Sequence, residues 1–187
     1  MRQSRIVIIS ILSILCLAAF FSCTTTAKWQ SQYSDTDSRT SVSSEAANPS
    51  AKYIVYAALD SAGNLITRPE SGEPAATEAY AVVGYTGLVA ELVIPSQYGG
   101  KNVTKVLVAS PYSNYYCFRD GAEYSGDDAR LANQTVVTSI VFGNNVTFVG
   151  AGVCAGMVNL ATVRFANANA TYTNAFLGIS PTITTAS

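Results

Sequence analysis

Two six-residue runs, Val137-Thr138-Ser139-Ile140-Val141-Phe142 and Leu160-Ala161-Thr162-Val163-Arg164-Phe165, share apolar residues at their first, fourth and sixth positions and lie 23 residues apart. Val89-Ala90-Glu91-Leu92-Val93-Ile94 carries the same spacing earlier in the chain. Such a run reads as a short strand that turns those three positions inward and leaves the others outward. A unit of this length cannot bury its own apolar face, so successive units must stack on one another. Val103-Thr104-Lys105-Val106 and Val146-Thr147-Phe148-Val149-Gly150 supply the return side of each coil. No long segment of 3.6-residue apolar period follows residue 22. The expectation is a mainly β chain built as a short solenoid of about three coils.

Upstream, Tyr53-Ile54-Val55-Tyr56-Ala57-Ala58-Leu59 is β-branched and aromatic, and Asp60-Ser61-Ala62-Gly63-Asn64 offers turn chemistry before Leu65-Ile66-Thr67. This predicts a hairpin, and residues 51–79 are assigned to an N-terminal hairpin cap. Tyr80 to Tyr85 and Leu88 to Ile94 read as further strands, the second ended by Pro95, which has no ladder donor. Residues 80–187 form the expected repeat domain. Residues 30–50 are Ser, Thr, Asp and Asn-rich without apolar periodicity, so residues 23–50 are read as a disordered tether.

Gly84-Tyr85-Thr86-Gly87, Leu92-Val93-Ile94-Pro95 and Gly100-Lys101-Asn102-Val103-Thr104-Lys105-Val106 together resemble the first coil of BspA-type leucine-rich repeats, a family found in surface proteins of spirochaetes, Bacteroidetes and some mucosal protozoa. Residues 137–160 follow the full repeat, with Gly150 at the turn, Val153-Cys154 where the family prefers Ala-Phe, and Met157 near its usual Cys. Ala175-Phe176 restores the Ala-Phe pair, so the likeness spans residues 80–176. The resemblance implies a leucine-rich-repeat solenoid that binds a protein or glycan on host or neighbouring cells, without catalysis or cofactor. The family's interval between a return-side Val and the next strand is the 11 residues seen from Val149 to Leu160, whereas Val106 to Val137 is 31. An insertion at about residues 107–135 follows, and insertions in solenoids emerge on one face, often the binding face. The alternative is a structural or assembly component of the envelope that self-associates through an uncapped repeat end.

Arg2 and Arg5 precede an apolar run from Ile6 to Phe21 interrupted only by Ser10 and Ser13, a signal-peptide pattern too short for a membrane span. Leu17-Ala18-Ala19-Phe20-Phe21-Ser22-Cys23 resembles a relaxed bacterial lipobox. That resemblance implies removal of residues 1–22, lipidation of Cys23, and a lipoprotein held at the bacterial cell surface by its lipid. The competing reading is ordinary cleavage after Ala27 and a secreted product.

With 11 Lys plus Arg against 12 Asp plus Glu, the chain has no basic field to hold phosphates, so nucleic acid is not an expected partner. The absence of histidine removes Ser-His-Asp and Cys-His activation and every imidazole metal site. Catalysis would fall to Ser with Lys or to Asp127 and Asp128, neither a recognisable constellation, so no enzyme is expected. Asp120, Glu123, Asp127 and Asp128 do not match a calcium-loop spacing, and no metal site is assigned. Cys117 and Cys154 are either a bridge or two buried thiols. Tyr112, Tyr115, Tyr116 and Phe118 in the insertion suit a contact patch, because tyrosine gives large amphipathic area at small entropy cost, or else pack the insertion onto the core. Thr138, Ser139, Thr162 and Arg164 face outward on the expected strands and complete the candidate partner-binding set. Asn-x-Thr matches at Asn102, Asn133, Asn145 and Asn169 are chance products of a Thr-rich β chain unless a eukaryotic secretory path glycosylates them.

Overall fold

The computed structural model describes residues 48–71, 74–109, 114–126 and 129–187, all within the compact unit Asp35–Ser187. The expected signal peptide, Cys23, most of the expected tether, Tyr112, Asp127 and Asp128 lie outside the described residues. Among those described, the chain is mainly β, with a single 3-10 turn at Ala51–Tyr53.

β1 (Ile54–Leu59) has all six residues buried, because both of its faces are covered. Ile54, Tyr56 and Ala58 enter the larger core, whereas Val55, Ala57 and Leu59 join a smaller one with Ala81, Val83, Ala109, Cys117 and Ala129. That explains why the run reads as continuously apolar rather than alternating. Its long antiparallel partner is β2 (Ala79–Tyr85). The turn chemistry at residues 60–64 does reverse the chain, Asp60 accepting from the backbone N–H groups of Ala62 and Asn64. The returning residues pair with the end of β1 through a Leu59 to Leu65 bridge and an Ile66 N–H bond to the Ala58 carbonyl.

β3 (Glu91–Ile94) belongs to a second sheet, while β4 (Gln97–Tyr98) and β5 (Lys101–Val106) extend the first. From the expected insertion come β6 (Cys117–Arg119) and β7 (Ala122–Glu123), and β6 pairs antiparallel with β1. The first sheet therefore runs β4-β5-β2-β1-β6-β7. Gly84 in β2 has no side chain because the Ala129 carbonyl occupies the space a Cβ would need and accepts the Tyr85 N–H.

The second sheet is parallel, with the order β11 (Thr182–Thr185), β10 (Thr162–Phe165), β8 (Ser139–Phe142), β3. Leu92, Ile140, Val163 and Ile183 share one row, and Ile94, Phe142, Phe165 and Thr185 share another. Phe142 and Phe165 stack at 4.7 Å, and Phe165 stacks on Tyr172 at 4.6 Å. In the first sheet β9 (Phe148–Val149) runs parallel to β5, and Phe148 bridges in parallel to Thr171. There Thr147 donates to the Thr104 carbonyl and Thr171 to the Thr147 carbonyl, each through both N–H and Oγ1.

The outer edge of β3 is covered at Val93 by side chains. Ser50, fully buried, accepts the Val93 N–H on its Oγ at 3.0 Å, and Asn48 donates its amide to the Val93 carbonyl at 3.0 Å. The Ser50 hydroxyl in turn donates to Asn48 Oδ1 at 2.6 Å, which holds the pair together. Ser50→Ala would leave the part-buried Val93 N–H without its acceptor, a loss of about 1 kcal/mol. The midpoint of urea unfolding should fall accordingly, with the slope unchanged.

Candidate binding face

The parallel sheet turns two rows of side chains away from the core. Glu91, Ser139, Thr162 and Thr182 form one row, and Val93, Val141, Arg164 and Thr184 the other. Inward positions must be apolar to fill the space behind the sheet, which leaves small and hydroxyl-bearing residues outside, where neighbours stand about 4.8 Å apart. Thr162, Arg164, Thr182 and Thr184 are exposed, whereas Ser139 and Val141 are half-buried. Thr138 is exposed just before β8, where its N–H bonds the Ala90 carbonyl. Thr138, Ser139, Thr162 and Arg164, separated along the chain, are thus gathered on adjacent strands. The face offers a shallow array of hydroxyls with one guanidinium and, at the β3 end, one carboxylate.

The aromatic group from the insertion lies on the other sheet. Tyr115 is half-buried against the smaller core and bridges to Thr67. Tyr116 and Phe118 are half-buried against the larger core, edge to face at 4.9 Å. Phe118 meets Tyr80 at 5.9 Å, Tyr80 meets Tyr98 at 5.0 Å, and Tyr98 stacks on Tyr56 at 3.9 Å. These rings join β1, β2, β4 and β6, with Gly121 N–H donating to the Tyr98 hydroxyl as a further tie. Glu123 is paired with Arg68, and Asp120 sits in a left-handed turn at φ 49°. Among the described residues no group of acidic and cysteine side chains is arranged to hold a metal ion.

Two features lay beyond the reading of the residues. One is the Asn48 and Ser50 cover of β3 at Val93, which nothing in a polar segment signals. The other is the position of three Asn-x-Thr matches: Thr104, Thr147 and Thr171 are joined in succession by hydrogen bonds, and Asn145 donates its amide to Asn102 Oδ1 at 2.9 Å. Their recurrence was the available signal, concealed because the steps between them are 43 and 24 residues. An open groove of about 600 Å³ also runs over residues 170–178. Among the described residues no helix is long and apolar enough to cross a membrane.

Cys117 and Cys154 are both free and fully buried, and they sit in different core clusters. Burial pushes the Cys117 thiol up to about 11, opposed by the Arg68 charge, and burial alone pushes Cys154 up to about 12. Peptide mapping after maleimide treatment at about pH 8 should find both unlabelled in the folded chain and labelled in urea. Folded thiols keep protons that unfolded ones release near 9.0, so the stability they contribute is intact below that pH. It should be lost as the pH rises through about 11 and 12. No protein-family model, curated protein or solved structure matches the chain, so its function has to be argued from this geometry.

Proposed function

We propose that this chain is a non-enzymatic leucine-rich-repeat module of the BspA type, anchored at a bacterial cell surface through lipid on Cys23, that binds a protein or glycan of host or neighbouring cells. Residues 80–187 would be the solenoid and residues 51–79 its cap. The observation that carries the reading is the in-register stack of β3, β8 and β10, whose inward rows are apolar and whose outward rows present Ser139, Thr162 and Arg164 side by side. A shallow, rigid face with hydroxyls and a single guanidinium suits recognition of a partner's polar groups, and arginine is a frequent centre of binding energy. Its residues need no proton transfer or metal to do this. The half-exposed edges of Tyr116 and Phe118 would supply a second, smaller contact area.

Binding of the full chain to extracellular-matrix and envelope components tests the reading. Thr162→Glu with Arg164→Glu alters only exposed positions, and it should weaken a bound component by about tenfold or more, the scale of a binding hot spot. Equal binding by the variant, or no binding by either protein, would remove support for the face. In a bacterial host, Cys23→Ser should abolish incorporation of labelled fatty acid, whereas unchanged incorporation would reject the anchor.

A further inference from the structure

The two outer edges of the parallel sheet are finished differently. At β3, Asn48 and Ser50 take both backbone polar groups of Val93. At β11, Thr182 and Ala186 donate their N–H groups inward to the carbonyls of Ala161 and Phe165. Backbone groups alternate sides along a strand, so Ile183 and Thr185 turn their N–H and C=O groups outward. Among the described residues no strand pairs with that side, and all four residues of β11 are exposed. The strand Thr182-Ile183-Thr184-Thr185 has no charge, proline or bulge to discourage pairing.

We propose that the outer edge of β11 pairs antiparallel with β11 of a second copy of this chain, across a two-fold axis beside Thr184. A head-to-tail stack would need the β3 edge, which Asn48 and Ser50 already occupy, whereas a two-fold contact uses β11 alone. This register uses both outward residues of the strand. With Ile183 opposite Thr185 of the second copy, both outward residues exchange hydrogen bonds with their opposites, and Thr184 faces itself in a non-hydrogen-bonded position. Moving the axis to Ile183 would put Pro181, which has no N–H, opposite Thr185.

Charge permits the contact. Arg164 is the β10 residue in register with Thr184, so the two arginines would stand three strand spacings apart. That is roughly 14 Å, beyond a screening length of about 8 Å at physiological salt. Threonine facing threonine is a favourable cross-strand pair, and the added strand covers Ile183, which is 36% exposed. The inference stands apart from the choice of ligand above, although a dimer would present the outward face twice and gain avidity.

Light scattering of the purified full chain over a range of concentrations should show the mass doubling. Thr185→Pro removes an outward N–H and leaves the inward bonds to β10, and it should raise the dimer dissociation constant by about tenfold or more. Thr184→Lys sets like charges against each other at the axis and should give monomer at low salt. A third variant leaves the edge intact: with Cys16 and Cys23 changed to Ser, Thr184→Cys should cross-link to itself on mild oxidation. Facing Cα atoms at such a position stand about 4.5 Å apart, within disulfide reach. Thr182→Cys, opposite Ala186 in this register, should not cross-link. Monomer at every concentration, a dimer indifferent to both edge substitutions, or equal cross-linking at 182 and 184 would overturn the proposal.

Discussion

Parallel, in-register stacking is the constraint on which the second sheet depends. It brings the same position of successive strands to within one strand spacing, so each residue is selected mainly by its counterparts above and below. Leu92, Ile140 and Val163 form one apolar row, and Ile94, Phe142 and Phe165 the next, all of them buried. The ring stack from Phe142 through Phe165 to Tyr172 extends that row beyond the sheet. Polar positions obey the same rule, and the Thr104, Thr147 and Thr171 bonds repeat from rung to rung.

β1 meets a different constraint, since it is buried on both faces within a sheet that runs from β4 to β7. The aromatic chain from Tyr56 through Tyr98 and Tyr80 to Phe118 ties four strands of that sheet together. Just before β1, the turn at Ala51–Tyr53 follows Ser50, whose hydroxyl reaches the backbone of Val93. One edge of the parallel sheet is thereby covered at Val93 by the segment that leads into β1, while among the described residues no strand pairs with the outer side of β11.

Much of the parallel sheet was legible because its signals are local. The two hexads 23 residues apart correspond to β8 and β10, and the alternation within each put Thr162 and Arg164 on the solvent side. The aromatic residues of the insertion were not legible in the same way. Composition points to Tyr115, Tyr116 and Phe118 as a contact patch or as packing, and the rings that Phe118 joins, Tyr80, Tyr98 and Tyr56, come from three other strands. No local pattern announces such partners. Residues 60–64 form a turn with a Leu59 to Leu65 bridge across it, and the long antiparallel partner of β1 that begins at Ala79 has no such local signal.

The sequence by itself determined the mainly β character, the strand positions of the repeated hexads and the side each residue faces, because apolar alternation acts within a few residues of chain. Only the tertiary structure decided which strands became neighbours, which edge was covered and which rings were buried. Those outcomes depend on contacts such as Val93 with Ser50, 43 residues apart, and Asn145 with Asn102, also 43 apart. Each is made by side chains whose local sequence would serve equally well in a solvated loop, and only the approach of a distant strand gives them a partner.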